Sequence, residues 1–224
     1  MPSKREKIAV GEYYHVYNRG TDKRPIFGNE EDLERFIESM YIFNAIEPTM
    51  SLLRKKGELN LLVGVQPLHE QLVEIAAYSL LPNHFHILIK QITEGGISEF
   101  MKRLQGGYTS YFNTENERSG ALFQGKYKYK HVPNDEYFRT IFCYVTFNSH
   151  VHNIPKDMMH LVASSFDEYT SRTPSLVSKS QMDFIFEMFK NDSNKIKKYG
   201  LEVTSIIKEK RSRKDYKGNK TLFE

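Results

Sequence analysis

The stretch Leu80-Leu81-Pro82-Asn83-His84-Phe85-His86-Ile87-Leu88-Ile89 decides how this chain is read. Side chains leave a strand on alternate faces, so Phe85, Ile87 and Ile89 share one face and His84, His86 and Leu88 the other. Two imidazoles then leave the same side of a sheet. Neutral imidazole is the commonest protein ligand for a transition metal. Two ordinary polar residues on a half-solvated strand would look the same. The pair takes its meaning from the rest of the chain.

Working outward, Val73 to Leu80 alternates as a strand, and a tight Pro82-Asn83 turn joins it to the histidine strand as a hairpin. Glu12 to Asn18 is aromatic and β-branched and reads as another strand, ended by Asn18-Arg19-Gly20. Asn29 caps a helix with Glu30, Glu31 and Asp32 in its first turn. Leu33, Phe36, Ile37, Met40 and Tyr41 follow at helical spacing, and Pro48 closes it. After Gly95-Gly96, Ser98 is expected to cap a helix carrying Phe100, Met101, Leu104, Tyr108 and Tyr111. Lys126 to Val132 alternates charged and aromatic residues as a strand. Asn134 or Asp135 caps a helix with Phe138, Ile141, Phe142 and Val145 on one stripe. The order predicts an α+β fold: a ferredoxin-like βαββαβ antiparallel sheet with helices on one face, and an added helix behind it. Residues 1–170 form the expected catalytic unit, with 49–70 as a peripheral insertion. Residues 171–224 form a C-terminal extension: a helix from Gln181, a break at Asn191-Asp192, a basic helix over Leu201 to Lys210, and a disordered end.

A single cysteine, Cys143, excludes an intrachain disulfide framework and a multi-cysteine zinc site. The start of the chain is charged and no long apolar run follows, so a cytoplasmic location without membrane contact is expected. The net charge of +4 is unevenly spread. Residues 195–224 carry +6 and residues 102–130 carry +4, which leaves −6 for the remainder. Cationic segments of this kind suit an anionic polymer.

A pair of histidines is an incomplete metal site. Tyr144 and Asn148 are spaced one helical turn apart, on the flank of the apolar stripe, where both can be aimed at the His84/His86 surface. Imidazole nitrogens and an amide oxygen suit Mg²⁺ or Mn²⁺ and leave positions open for a substrate phosphate. A phenol beside such an ion can attack phosphorus and form a covalent phosphotyrosine. Tyr108 and Tyr111 are rival nucleophiles, but neither has an amide one turn further on.

With these residues in view, the sequence resembles the single-tyrosine HUH transposases, most closely the REP-associated tyrosine transposase group. The resemblance covers about residues 10–170. It runs through Tyr14-His15-Val16-Tyr17-Asn18-Arg19-Gly20 with Arg24 and Ile26-Phe27, Leu81-Pro82-Asn83-His84-Phe85-His86, and Tyr108-Thr109-Ser110-Tyr111-Phe112-Asn113. It continues through Gly120-Ala121-Leu122-Phe123-Gln124-Gly125-Lys126-Tyr127-Lys128, Tyr144-Val145-Thr146-Phe147-Asn148 and Ser164-Ser165-Phe166. It implies a ferredoxin-like nuclease that cuts and transfers single-stranded DNA beside a hairpin. His84, His86 and Asn148 would match the metal ligands and Tyr144 the nucleophile. One departure is Ser149, where relatives often have proline after the asparagine.

The expected DNA contacts are Arg19, Lys102, Arg103, Lys126, Tyr127 and Lys128. The expected cofactor is Mg²⁺ or Mn²⁺, the expected partner is single-stranded or hairpin DNA, and a homodimer is an admitted assembly. Two other readings share the motifs: an HUH nickase of the replication-initiator or relaxase type, and a non-catalytic hairpin-binding module.

Overall fold

The computed structural model describes residues 7–47, 70–152 and 154–212. The expected insertion, all but its last residue, and the expected disordered end lie outside the described residues.

A hairpin forms the middle of the sheet. β2 (Val73–Leu81) and β3 (His84–Gln91) are antiparallel, with Leu81 opposite His84 across the Pro82-Asn83 turn. β1 (Tyr13–Arg19) pairs with the other edge of β3, and β4 (Lys128–Val132) pairs with β1. A two-residue strand, β5 (Ala163–Ser164), pairs with β2, giving the order β4-β1-β3-β2-β5. The first four strands are all antiparallel and interleaved as the ferredoxin-like prediction requires. The strand expected from Lys126 begins at Lys128.

The two sheet faces carry different chemistry. On one, Phe85 packs with Phe36 and Phe123, and Phe36 packs in turn with Phe27 and Tyr108. This face is covered by α1 (Glu30–Ile42) and α2 (Gly96–Glu115). On the other lie Tyr13, His15, Tyr17, His84 and His86, covered by α3 (Asp135–Thr146), whose Phe138 meets Tyr13 edge to face at 4.7 Å. α4 (Phe166–Ser171), α5 (Lys179–Met188) and α6 (Ser193–Ser212) follow, and α5 and α6 join the core that α3 begins. With the sheet on one side and α6 on the other, the last turns of α3 are buried all round, from Ile141 to Thr146.

Several ends differ from expectation. Asn29 does cap α1, accepting the Asp32 N–H at 2.9 Å, but the helix stops at Ile42, well before Pro48. The chain turns there because the Asn44 side chain pairs with the Val73 backbone in both directions. α2 starts before Ser98. Gly95, at φ 70°, turns the chain, and Gln91 rather than Ser98 accepts the Ile97 N–H. Asn134 caps α3 through the Tyr137 N–H. α6 begins at Ser193, well before Leu201, directly after Lys190 and Asn191 reverse the chain with positive φ.

Candidate active site

β3 presents His84 and His86 on one face, with ring centroids 5.2 Å apart and planes nearly perpendicular. The His84 Nδ1–H donates to Asn83 Oδ1 at 2.6 Å, which leaves Nε2 as a bare lone pair. His86 Nδ1 lies 2.9 Å from Nε2 of His15, on the neighbouring strand, and the two rings stack at 5.0 Å. When His86 donates in that contact, its own Nε2 is likewise a free acceptor. Tyr17 stacks on the same group, 5.1 Å from His15 and 5.7 Å from His86.

α3 brings Tyr144 edge-on against both His86 (5.4 Å) and His15 (5.9 Å). The helix ends at Thr146, so Asn148 is not in its last turn but opens the following 3-10 turn, Asn148–His150. The chain still carries the amide to the histidines, where it sits beside His84. Tyr144 and Asn148 are both 0% exposed.

Burial pulls the protonation of all three histidines down. His15 falls to about 3 through burial and then the charge of Lys130. His84 falls to about 3 through burial, His152 and Arg211, with Asn148 opposing the fall. His86 lies well below the ordinary histidine range through burial and then His15. All three are therefore neutral near pH 7, the form in which imidazole ligates a metal.

The orphaned atoms converge. Among the described residues, His84 Nε2, His86 Nε2 and both Asn148 side-chain atoms are buried without a hydrogen-bond partner. An unsatisfied buried polar atom costs about 1–3 kcal/mol, so several in one place suit a group that they would bind together. Two imidazole lone pairs and an amide oxygen fit a divalent cation. The set is lean, since no group of three or more His, Cys, Asp or Glu side chains among the described residues could hold one.

The other anticipated residues divide. Arg19 stands opposite His84 in the β1–β3 register, its charge is felt at His84, and its Nε donates to Gln124 Oε1. Lys128 lies opposite Tyr17 on the edge strand, with Nζ 6.0 Å from that ring, and Lys126 is exposed just before it. Tyr127 is not on this side: its hydroxyl meets Ser98 of α2 at 3.2 Å. Lys102 is exposed on α2, behind the sheet. Arg103 is engaged within the fold, donating to Glu99 at 2.8 Å and to the Ala45 carbonyl at 2.7 Å. Tyr108 and Tyr111 also belong to α2. Tyr108 is buried and donates to the Ile26 carbonyl, and burial raises its phenol far above the ordinary range. Tyr111 is pushed up to about 12 by burial and by Asp32. Cys143 is buried, which raises its thiol.

Three residues at the site were not anticipated. His15 could have been found, because it shares a strand face with Tyr13 and Tyr17. His152 lies 4.6 Å from the His84 ring. Arg211, from the far end of α6, donates through Nη2 to Tyr144 Oη at 3.1 Å and contacts His152 Nε2 through Nη1 at 3.3 Å.

A ferredoxin-like sheet thus carries a histidine pair that is faced by a tyrosine on a following helix. Comparison with known proteins finds two similarities. Residues 64–148 match the family described as IS200-like transposase. A solved structure described as a REP-associated tyrosine transposase bound to a REP hairpin is similar in fold. It has TM-score 0.51 and 16% identity, and the similarity spans 77% of this chain and 87% of that one. No curated protein matches.

Proposed function

We propose that this chain cleaves single-stranded DNA beside a hairpin and transfers the strand through a covalent bond to Tyr144. The observation that carries the reading is the placement of the Tyr144 ring against His86, next to the orphaned nitrogens of His84 and His86 and the Asn148 amide. In the reaction, Tyr144 Oη forms a bond to the scissile phosphorus and the phosphorus–oxygen bond to the departing strand breaks. The phenol proton passes to solvent, and the departing oxygen takes up a proton and leaves as a hydroxyl. The phosphotyrosine preserves the phosphodiester's energy, so the reverse attack by another strand's hydroxyl rejoins DNA without a nucleotide cofactor. His84, His86 and Asn148 would hold Mg²⁺ or Mn²⁺, which when bound polarises the phosphate and offsets its charge. His15 orients His86, and Asn83 orients His84, in the manner of groups that fix a ligand's tautomer.

The hairpin preference rests on the hairpin-bound relative. Arg19, Lys126 and Lys128 lie where a strand leading to Tyr144 would pass. Lys102 and Tyr127 would be reached by DNA that straddles the β4 edge.

Incubation with hairpin-bearing single-stranded DNA and Mn²⁺ should give a denaturant-resistant protein–DNA adduct. Tyr144→Phe should abolish the adduct and leave binding intact. An adduct that peptide mass spectrometry maps to Tyr111 would overturn the assignment.

A further inference from the structure

Arg211 lies far from the other site residues in sequence, yet its position is built by the fold. α6 packs on α3 through Ile196, Gly200, Thr204 and Ile207, spaced four, four and three residues apart along one stripe. Four residues beyond Ile207, the same stripe ends in Arg211. The approach is close: a Cβ at Gly200 would lie 2.2 Å from the Phe147 ring. Phe147 directly follows α3, so the contact couples the register of α6 to the end of the helix bearing Tyr144.

We propose that Arg211 is a catalytic residue of the cleavage reaction: it orients the Tyr144 hydroxyl and binds the scissile phosphate as Tyr144 attacks it. This rests on the assignment of Tyr144 as nucleophile. The geometry is restrictive. Any phosphorus in line for attack lies about 3–3.5 Å from Tyr144 Oη. The guanidinium Nη2 is already 3.1 Å from that oxygen, so the phosphate oxygens come within its reach. Tyr144 is buried while Arg211 is only partly so, and Arg211 therefore links the buried hydroxyl to the surface from which DNA arrives. Its fork is steadied by His152 through Nη1. Guanidinium keeps its charge at any working pH, so it takes no proton from the phenol. It stabilises the negative charge that moves from the phenol oxygen to the phosphate and the leaving oxygen.

The test is single-turnover adduct formation with hairpin-bearing single-stranded DNA and Mn²⁺, alongside DNA affinity and thermal unfolding. Arg211→Ala should slow adduct formation by about 100-fold, the usual loss for one charge-stabilising donor, with a far smaller change in affinity. Arg211→Lys should recover part of the rate, because an ammonium supplies charge without the planar fork. Added guanidinium ion at millimolar concentration should partly rescue Arg211→Ala. It should not rescue Gly200→Ala, in which α6 is displaced from Phe147 while Arg211 is retained. An active wild-type chain whose Arg211→Ala variant is equally fast, or faster, overturns the role of Arg211 and leaves that of Tyr144 standing. Slow Arg211→Ala that neither lysine nor guanidinium restores makes Arg211 a structural tie, which also overturns it. A wild-type chain that forms no adduct overturns both.

Discussion

Three imidazoles share the buried pocket beneath Tyr144, and their common neutrality has a measurable consequence. In the unfolded chain each takes up a proton near 6.5, whereas in the fold His15 and His84 stay neutral down to about 3 and His86 is also strongly depressed. Above 6.5 both states are neutral and the histidines have no pH effect. Below it the unfolded state binds more protons, so stability is lost as pH falls towards 3, by roughly 1 kcal/mol per histidine per pH unit. In chelator, Tm should therefore fall steadily below about pH 6.5. His15→Gln should remove close to a third of the histidine-dependent slope; an identical profile in that variant would refute neutral burial. At this scale the sequence disclosed the pair on β3, because alternation alone puts His84 and His86 on one face. It did not disclose which ring nitrogen each offers. That is set by Asn83 and by His15, and the second contact depends on strand pairing.

The elements were legible where periodicity governs and misread where remote side chains decide. β1, the hairpin, α1 and α3 follow their alternation and caps. The start of α2 is set by the Gln91 amide and by a close approach of Gly96 to the Leu72 carbonyl, neither of which is a local cap pattern. Asn148 was read as part of α3, yet it reaches the site from the 3-10 turn beyond it. The Pro82-Asn83 turn shows how an element end tunes chemistry. Gly20 N–H donates to the Asn83 carbonyl at 2.9 Å, Asn83 Nδ2 donates to the Lys23 carbonyl, and Asn83 Oδ1 holds His84. Gly20 is required there, since a Cβ would lie 2.1 Å from the Arg24 carbonyl oxygen. Gly20→Ala should thus cost about 1–3 kcal/mol in denaturant unfolding and should also weaken Mn²⁺ binding measured by calorimetry. Loss of stability with unchanged metal affinity would show that the turn does not position His84.

Across the whole molecule, the proposed function draws on the two unlike faces of one sheet. The Phe85 face is a hydrophobic core under α1 and α2; the His86 face carries a polar row from Lys128 through Tyr17 to His86. Charge counts alone drew Lys102 and Arg103 together with Lys126 and Lys128. The fold separates them, because α2 lies behind the sheet and Arg103 is tied to Ala45 and Glu99. Likewise, a basic C-terminal segment was legible as charge, but nothing local revealed that its stripe ends at Tyr144. The separation makes a prediction about DNA affinity. Phosphate contacts release counterions, and on single strands each changes the log–log salt slope by about 0.7. Replacing Lys126 and Lys128 together with alanine should flatten the slope by about one to two contacts' worth. Lys102→Ala should change it less, since its ammonium projects from α2 on the opposite side. Fluorescence anisotropy with a hairpin-bearing single strand across a salt series measures both. Equal effects from the two variants would mean that DNA engages both faces of the β4 edge alike, and equal affinity for a perfect duplex would argue against a single-stranded path towards Tyr144.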